Sequence, residues 1–197
     1  MPQLPLIEPD SDWCPPHELP DYSHAPVIAV DTETHDPFLT QTGSGARTGT
    51  GFLVGISSAA EGTDPVYLPV RHQNGGNLDV DIVRRWAQDQ FGREDQPKIF
   101  ANPQYDLRML RQFGVEVKGP IYDVQGAAAI LDENRWSYSL NNLGRDYLNV
   151  RKDEKMLRAA ASAWGVDAKS ELSFLAPQFV GKYAEQDAQL TLDLWNY

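Results

Sequence analysis

Four apolar residues, Val27-Ile28-Ala29-Val30, run directly into Asp31-Thr32-Glu33, and this junction constrains the chain more than any other stretch. A short apolar run of this kind reads as a buried strand. In a strand, residues i and i+2 point to the same side, so Asp31 and Glu33 aim two carboxylates into one space at its end. The edge of the first strand in an α/β sheet is a usual place for a site. The pair alone is weak evidence, because a chain with 28 Asp and Glu among 197 residues contains about one Asp-x-Glu by chance.

The rest of the chain supplies the sheet and its helices. Half of the 14 prolines fall in the first 26 residues. Proline fixes φ and removes a donor, so residues 1–26 read as an extended arm with Trp13 and Tyr22 pinning it to the core, and residues 27–197 as one catalytic domain. The stretch Gly43 to Gly51 lacks a Gly-Lys pair, so it is a turn between strands rather than a P-loop. Phe52–Ser57 and Val66–Val70 read as strands and Asp79–Phe91 as a helix, with Val80, Val83, Trp86 and Ala87 near helical spacing. Lys98–Ala101 is a strand stopped by Asn102-Pro103, followed by a helix from Tyr105 to Phe113 and a short strand at Pro120–Tyr122. Helices then dominate, at Asp123–Leu131, Leu140–Leu148, Glu154–Trp164 and Pro177–Trp195, the last with proline tolerated at its start. Strands first and helices later give an α/β architecture, a mixed sheet flanked by helices.

Charge and cysteine content narrow the classes. A formal net charge of −11 argues against a protein that grips phosphates with a basic surface. It does not argue against an enzyme that meets phosphate through cations held by clustered carboxylates. Acidity that only aids solubility is the plainer reading, and charge alone does not separate the two. Cys14 is the single cysteine and no run of about 18 apolar residues occurs. The expectation is a cytoplasmic protein that does not cross a membrane.

Two further segments carry chemistry. Asn102-Pro103-Gln104-Tyr105-Asp106 places an acid in the first turn of a helix, where it also suits the helix dipole or a cap. Tyr183 and Asp187 stand four apart in the final helix, so phenol and carboxylate share one face. Singly, a core tyrosine and a solvated aspartate explain that last pair equally well.

In combination, VIAVDTET, ANPQYDLRML and YAEQDAQLTLDLW resemble the three motifs of the proofreading 3′→5′ exonuclease domain of family A DNA polymerases, in the tyrosine branch of the DnaQ-like superfamily. Flanking residues match too, among them Asn102, Tyr105 and Thr191-Leu192, and SYSLNNLGRDYL resembles the family's intervening helical segment. The resemblance runs from about Val27 to Trp195. It implies an RNase H-like five-stranded sheet of order 3-2-1-4-5. It also implies catalytic roles for Asp31, Glu33, Asp106, Tyr183 and Asp187, the four acids being metal ligands.

Phosphodiester hydrolysis needs an activated nucleophile, neutralised charge and a stabilised leaving group, and two divalent ions supply all three. An all-carboxylate set suits Mg²⁺ or Mn²⁺ and not a Cys/His zinc site. Asp31 is expected to bridge the ions, Glu33 and Asp187 to complete the first site, and Asp106 to support the second. Tyr183, with an ordinary pKa of about 10, would orient the attacking water rather than act as a strong base. His35 is taken as a polar loop residue.

The family wedges the terminal base with apolar side chains, which assigns Phe38 and Leu39 to substrate, along with Asn102 and Tyr105. Met156 or Leu157 stands where the family has a second aromatic wedge. The expected partners are a single-stranded DNA 3′ end and a polymerase domain or replication protein. Two rivals stay open: an RNA 3′ exonuclease of RNase D type, and a non-catalytic domain that binds DNA or protein.

Overall fold

The computed structural model describes residues 10–197, so residues 1–9 of the proline-rich arm lie outside the described residues. Five strands form one sheet in the order β3-β2-β1-β4-β5, the order that the motif resemblance implies. β1 (Ile28–His35) pairs antiparallel with β2 (Phe52–Ala59), and β2 pairs antiparallel with β3 (Val66–Pro69). On its other side β1 pairs in parallel with β4 (Lys98–Phe100), which pairs in parallel with β5 (Ile121–Asp123).

β1 is longer than its apolar run. Asp31 and Glu33 lie inside the strand, not at its end, because β2 continues to pair with it as far as His35↔Phe52. The parallel partner stops much earlier, at Ala29↔Ile99. β1 therefore overhangs β4, and its carboxylates stand beyond the end of that strand. A register shift between Glu33 and Thr34 marks a β-bulge, a device that re-aims side chains next to sites.

The alternation of β1 divides the core. Ile28 and Val30 join Val83, Trp86, Ala87 and Phe91 of α2 (Val80–Phe91) and Met109, Leu110 and Phe113 of α3 (Pro103–Phe113). On the opposite face Ala29, Ala59 and Ile99 pack against Ala188 and Leu192 of α7 (Gly181–Asn196). Small residues on both sides of that contact let α7 lie close to the strands that carry the acids. A third cluster ties Val54 and Tyr67 to Leu157, Ala160 and Trp164 of α6 (Lys155–Trp164) and to Phe179.

Other expectations shift in detail. A short helix, α1 (Leu39–Thr42), precedes the glycine-rich turn. That turn is closed by Gly51 N–H donating to the Gly45 carbonyl (3.1 Å) and Gly45 N–H donating to Asp36 Oδ2 (2.9 Å). A Cβ on Gly45 would collide with the Gly51 backbone nitrogen and sit 2.6 Å from Asp36 Oδ1, so the close approach of the two backbone segments fixes this position as glycine. After α4 (Val124–Leu131), the helix expected over Leu140–Leu148 is α5 (Leu140–Leu143) running into a π-turn, Gly144–Leu148. Pro177 does not start the last helix. It opens a separate 3₁₀ turn, Pro177–Phe179, and α7 begins at Gly181, since the residue before a proline is held extended and Ala176 is so held (ψ 147°).

Residues 10–26 form no helix or strand, yet they pack. Tyr22 is fully buried in the main core and its hydroxyl meets Ser58 Oγ at 3.0 Å. Trp13 Nε1 donates to Glu185 Oε1 of α7 at 2.8 Å, and its ring lies where a Cβ on Gly181 would be. Among the described residues no helix is long and apolar enough to cross a membrane.

Candidate active site

Strand alternation sends Asp31 and Glu33 to the α7 face, where the one helical turn from Tyr183 to Asp187 meets them. One carboxylate oxygen from each of Asp31, Glu33 and Asp187 lies within 4.8 Å of the other two. Asp31 and Glu33 are half-buried and Asp187 is buried. Ser57 Oγ, directly across β2, donates a long bond to Asp31 Oδ2 (3.4 Å). Asp187 Oδ1 is buried and has no hydrogen-bond partner.

Asp106 arrives differently. Thr32, pointing to the α3 face, donates from Oγ1 to Asp106 Oδ1 at 2.5 Å. The fourth acid is thus anchored to the residue between the first two, just past the end of β4. It stands outside the close triplet but near enough to raise the pKa of Asp31.

The four acids crowd negative charge into a partly buried space. Burial pushes Asp31 well above the usual carboxylate range, and Asp106, Glu33 and Asp187 add repulsion. Burial, then Asp187, holds Glu33 up at about 8. Asp106 is pushed up to about 7 by burial, opposed by the Thr32 hydrogen bond. Asp187 is raised by burial and partly relieved by Lys152. Carboxylates that lose hydration and face one another favour protonation unless positive charge is supplied.

Lys152 supplies one such charge, and sequence reasoning missed it. Its Nζ donates to Asp187 Oδ2 at 2.6 Å and to the Tyr183 hydroxyl at 3.2 Å, and lies 4.4 Å from the centre of the Tyr183 ring. Only 9% of the lysine side chain and 8% of the aspartate side chain are exposed, so the pair is sealed from water. The residue sits in a coil before α6, where no periodicity or spacing marks it. Tyr183 itself is half-buried, and burial followed by Glu33 and Asp187 drives its phenol far above the ordinary range. A phenol raised in this way keeps its proton and can donate a hydrogen bond.

The remaining expected residues divide. Phe38 and Leu39 are exposed, at 46% and 41%, at the entry to α1. Tyr105 is not free to face a ligand with its hydroxyl, which bonds Thr34 Oγ1 (2.8 Å) and Asp36 Oδ2 (3.1 Å). Asn102 adopts a left-handed conformation (φ 68°) at the start of α3, with its backbone N–H donating to Asp123 Oδ1. Leu157 is a core residue of α6, which removes it as a wedge, while Met156 packs at the edge of that cluster. His35 is the last residue of β1 rather than a loop residue. It stacks on Phe52 (4.9 Å), with Nδ1 2.9 Å from Ser173 Oγ, which accounts for it structurally.

The mixed sheet, its order and its helical cover define the fold class of the DnaQ-like exonucleases. Within that class, the chain belongs to the 3′–5′ exonuclease family of A-type DNA polymerases, whose family model matches residues 19–197. It is 38% identical over 189 residues to a DNA-directed DNA polymerase of Pseudomonas phage M6, covering 93% of this chain and 28% of the phage protein. The chain thus spans under a third of that relative's length. In fold it is similar to Trypanosoma brucei RNase D in complex with GMP (TM-score 0.65, 19% identity, 88% of this chain and 50% of that one). It is also similar to Brucella melitensis NrnC with bound Mg²⁺ (TM-score 0.60, 15% identity, 90% and 75%).

Proposed function

We propose that the chain hydrolyses the terminal phosphodiester of single-stranded or frayed DNA 3′ ends, releasing 5′-mononucleotides, with two divalent ions, Mg²⁺ or Mn²⁺. The observation that carries this reading is the convergence of the Asp31, Glu33 and Asp187 carboxylates within 4.8 Å of one another, one of which keeps a buried oxygen, Asp187 Oδ1, without a hydrogen-bond partner, in a chain of 3′–5′ exonuclease family. The donor set fits the ions: all oxygen, hard and undercompensated in charge. Asp31, Glu33 and Asp187 would hold one, with Asp31 shared and Asp106 supporting the second. When bound, such ions neutralise phosphate charge and acidify water.

The chain's own groups do the positioning. Tyr183, a neutral donor, orients the attacking water by its hydroxyl, and Lys152 fixes the directions of both Tyr183 and Asp187. Thr32 holds Asp106 in place from the far face. Phe38, with Leu39, presents exposed apolar surface on which a terminal base can stack, an interaction tolerant of sequence. At the substrate side of α3, Asn102 shapes the loop beyond β4 through Asp123, and Tyr105 braces the end of β1 through Thr34 and Asp36. A paired end must first unstack, at a cost of a few kcal/mol, so mismatched ends are preferred.

DNA is favoured over RNA by the 38% identity to a phage DNA polymerase over nearly the whole chain; the RNase D likeness is one of fold. The natural setting is a polymerase module acting with this domain in the cytoplasm, with residues 10–26 as the described part of an N-terminal arm on a catalytic domain of residues 27–197. Matched 5′-labelled DNA and RNA oligonucleotides, incubated with chelator and then with Mg²⁺, test the reading. A metal-dependent descending ladder on DNA is expected. Full activity after exhaustive chelation, faster cutting of RNA, or equal cutting of a circular single strand would overturn it.

A further inference from the structure

One cavity lies away from the carboxylates. It measures about 540 Å³ and is lined by Thr42, Ser44, Arg47, Arg108, Arg111 and Gln112, with no acidic residue in its wall. In a chain of net charge −11, three arginines line one concavity. None of the three makes a salt bridge among the described residues, although many other basic side chains do. Like charges gathered without counter-charge form a site for an anion, and a guanidinium fork matches phosphate geometry.

Its placement relates it to the acids. Arg108 and Arg111, three apart, share the solvent face of α3, whose opposite face buries Asp106, Met109, Leu110 and Phe113. At a rise of about 1.5 Å per residue they stand roughly 3 and 7.5 Å along the axis from Asp106. Arg47 comes from the glycine-rich turn that follows α1, the element at whose start Phe38 is exposed. Gln112 Nε2 donates to the Gly51 carbonyl at 2.8 Å, fastening that turn to α3 and fixing Arg47 opposite the helix. Ser44 Oγ is buried at the cavity wall with no partner, a further donor without an acceptor.

We propose that this arginine-lined cavity binds backbone phosphates of the polynucleotide strand, on the nucleotides 5′ to the one held at the carboxylates. The inference rests on the exonuclease reading and adds a second contact to it. Substrate is then held at two places, by its terminal base at Phe38 and by its internal phosphates at Arg47, Arg108 and Arg111.

The test uses the full chain and the Arg47→Gln/Arg108→Gln/Arg111→Gln variant, with Arg108→Gln and Arg111→Gln singly in case the triple variant misfolds. Steady-state kinetics are measured on a dinucleotide lacking terminal phosphate and on a 12-mer of deoxythymidine. The dinucleotide has one phosphate, which the carboxylate site takes, leaving none for the cavity. The triple variant is expected to raise KM at least tenfold on the 12-mer with kcat little changed, and to leave the dinucleotide unaffected. The slope of log(kcat/KM) against log[salt] on the 12-mer should fall in magnitude by about 2, at about 0.7 per phosphate lost on single strands. Inorganic phosphate and sulfate, added as competitors, should inhibit 12-mer cutting only weakly if a strand is the occupant. Equal losses on both substrates, an unchanged 12-mer KM, or strong competition by the small anions would overturn the proposal. Failure of the wild type to cut any polynucleotide would instead count against the exonuclease reading, a separate outcome.

Discussion

Replacing Lys152 by methionine removes the charge that the buried acids face while keeping much of the side-chain volume. The lysine and Asp187 are 2.6 Å apart, with 9% and 8% of their side chains exposed. Breaking one side of such a sealed pair costs about 3–5 kcal/mol, because the other charge stays buried and alone. For a chain of 150–250 residues each kcal/mol is about 2–4 °C in Tm, so Lys152→Met should melt roughly 6–20 °C lower in chelator at pH 8. The deficit should shrink at pH 6. Asp187 is already raised by burial, and protonating it recovers about 1.4 kcal/mol per pH unit. Millimolar Mg²⁺ should shrink it as well, since a bound cation restores the missing charge. Scanning calorimetry of both proteins at the two pH values, with chelator and with Mg²⁺, measures all of this. Equal melting points in chelator at pH 8, or a deficit the same with and without Mg²⁺, would refute the view of Lys152 as the internal counter-ion of this cluster.

The metal-free protein should also show an inverse pH profile. Glu33 and Asp106 titrate near 8 and 7 in the folded state and near 4 unfolded, so the folded form holds more protons between about pH 4 and 8 and stability falls as pH rises through that window. Urea midpoints in chelator should be higher at pH 5 than at pH 8, and the reverse order would contradict the burial argument. Asp31→Ala and Asp187→Ala should be nearly inactive in a single-turnover assay, whereas Tyr183→Phe should lose about 10²-fold, the scale of a positioned catalytic group; an unchanged rate for Asp187→Ala would remove that residue from the site. Phe38→Ala should raise KM more than it lowers kcat, with stacking giving about 1–3 kcal/mol per base; a loss confined to kcat would show that Phe38 acts on alignment and not on binding.

The chemistry of the site was more legible in the sequence than its supports. Strand and helix periodicities place Asp31 with Glu33 and Tyr183 with Asp187 on common faces, but only the motif resemblance joined the two pairs into one set, and the fold brings Asp31, Glu33 and Asp187 together. The sheet order came from the motif resemblance, since no local pattern specifies which strands pair. β1 outran its apolar stretch because pairing with β2, a long-range contact, extends through Thr34 and His35. Lys152 was invisible for a related reason: a single lysine in coil has no period, and only the folded chain brings it to Asp187. Thr32 was passed over as a spacer between acids, yet its alternation to the other face lets it hold Asp106. Tyr22, expected to pin the proline-rich stretch, does reach the main core, because non-helical backbone can still deliver a large side chain.

The acids that meet in space are far apart along the chain. Asp31 lies on the first strand and Asp187 on the last helix, and the contact of Trp13 with Glu185 spans 172 residues. At about 5–20 residues per second, a ribosome delivers the second half of the cluster roughly 10–30 s after the first. Until then Asp31 and Glu33 have neither their partner acid nor the helix that covers them. The carboxylates of the cluster thus stay apart until α7 has been made, and closure of α7 onto the sheet is the event that brings them together. Contacts of such long range also slow spontaneous refolding, so recovery of nuclease activity after denaturation should follow the docking of this helix rather than the formation of the sheet.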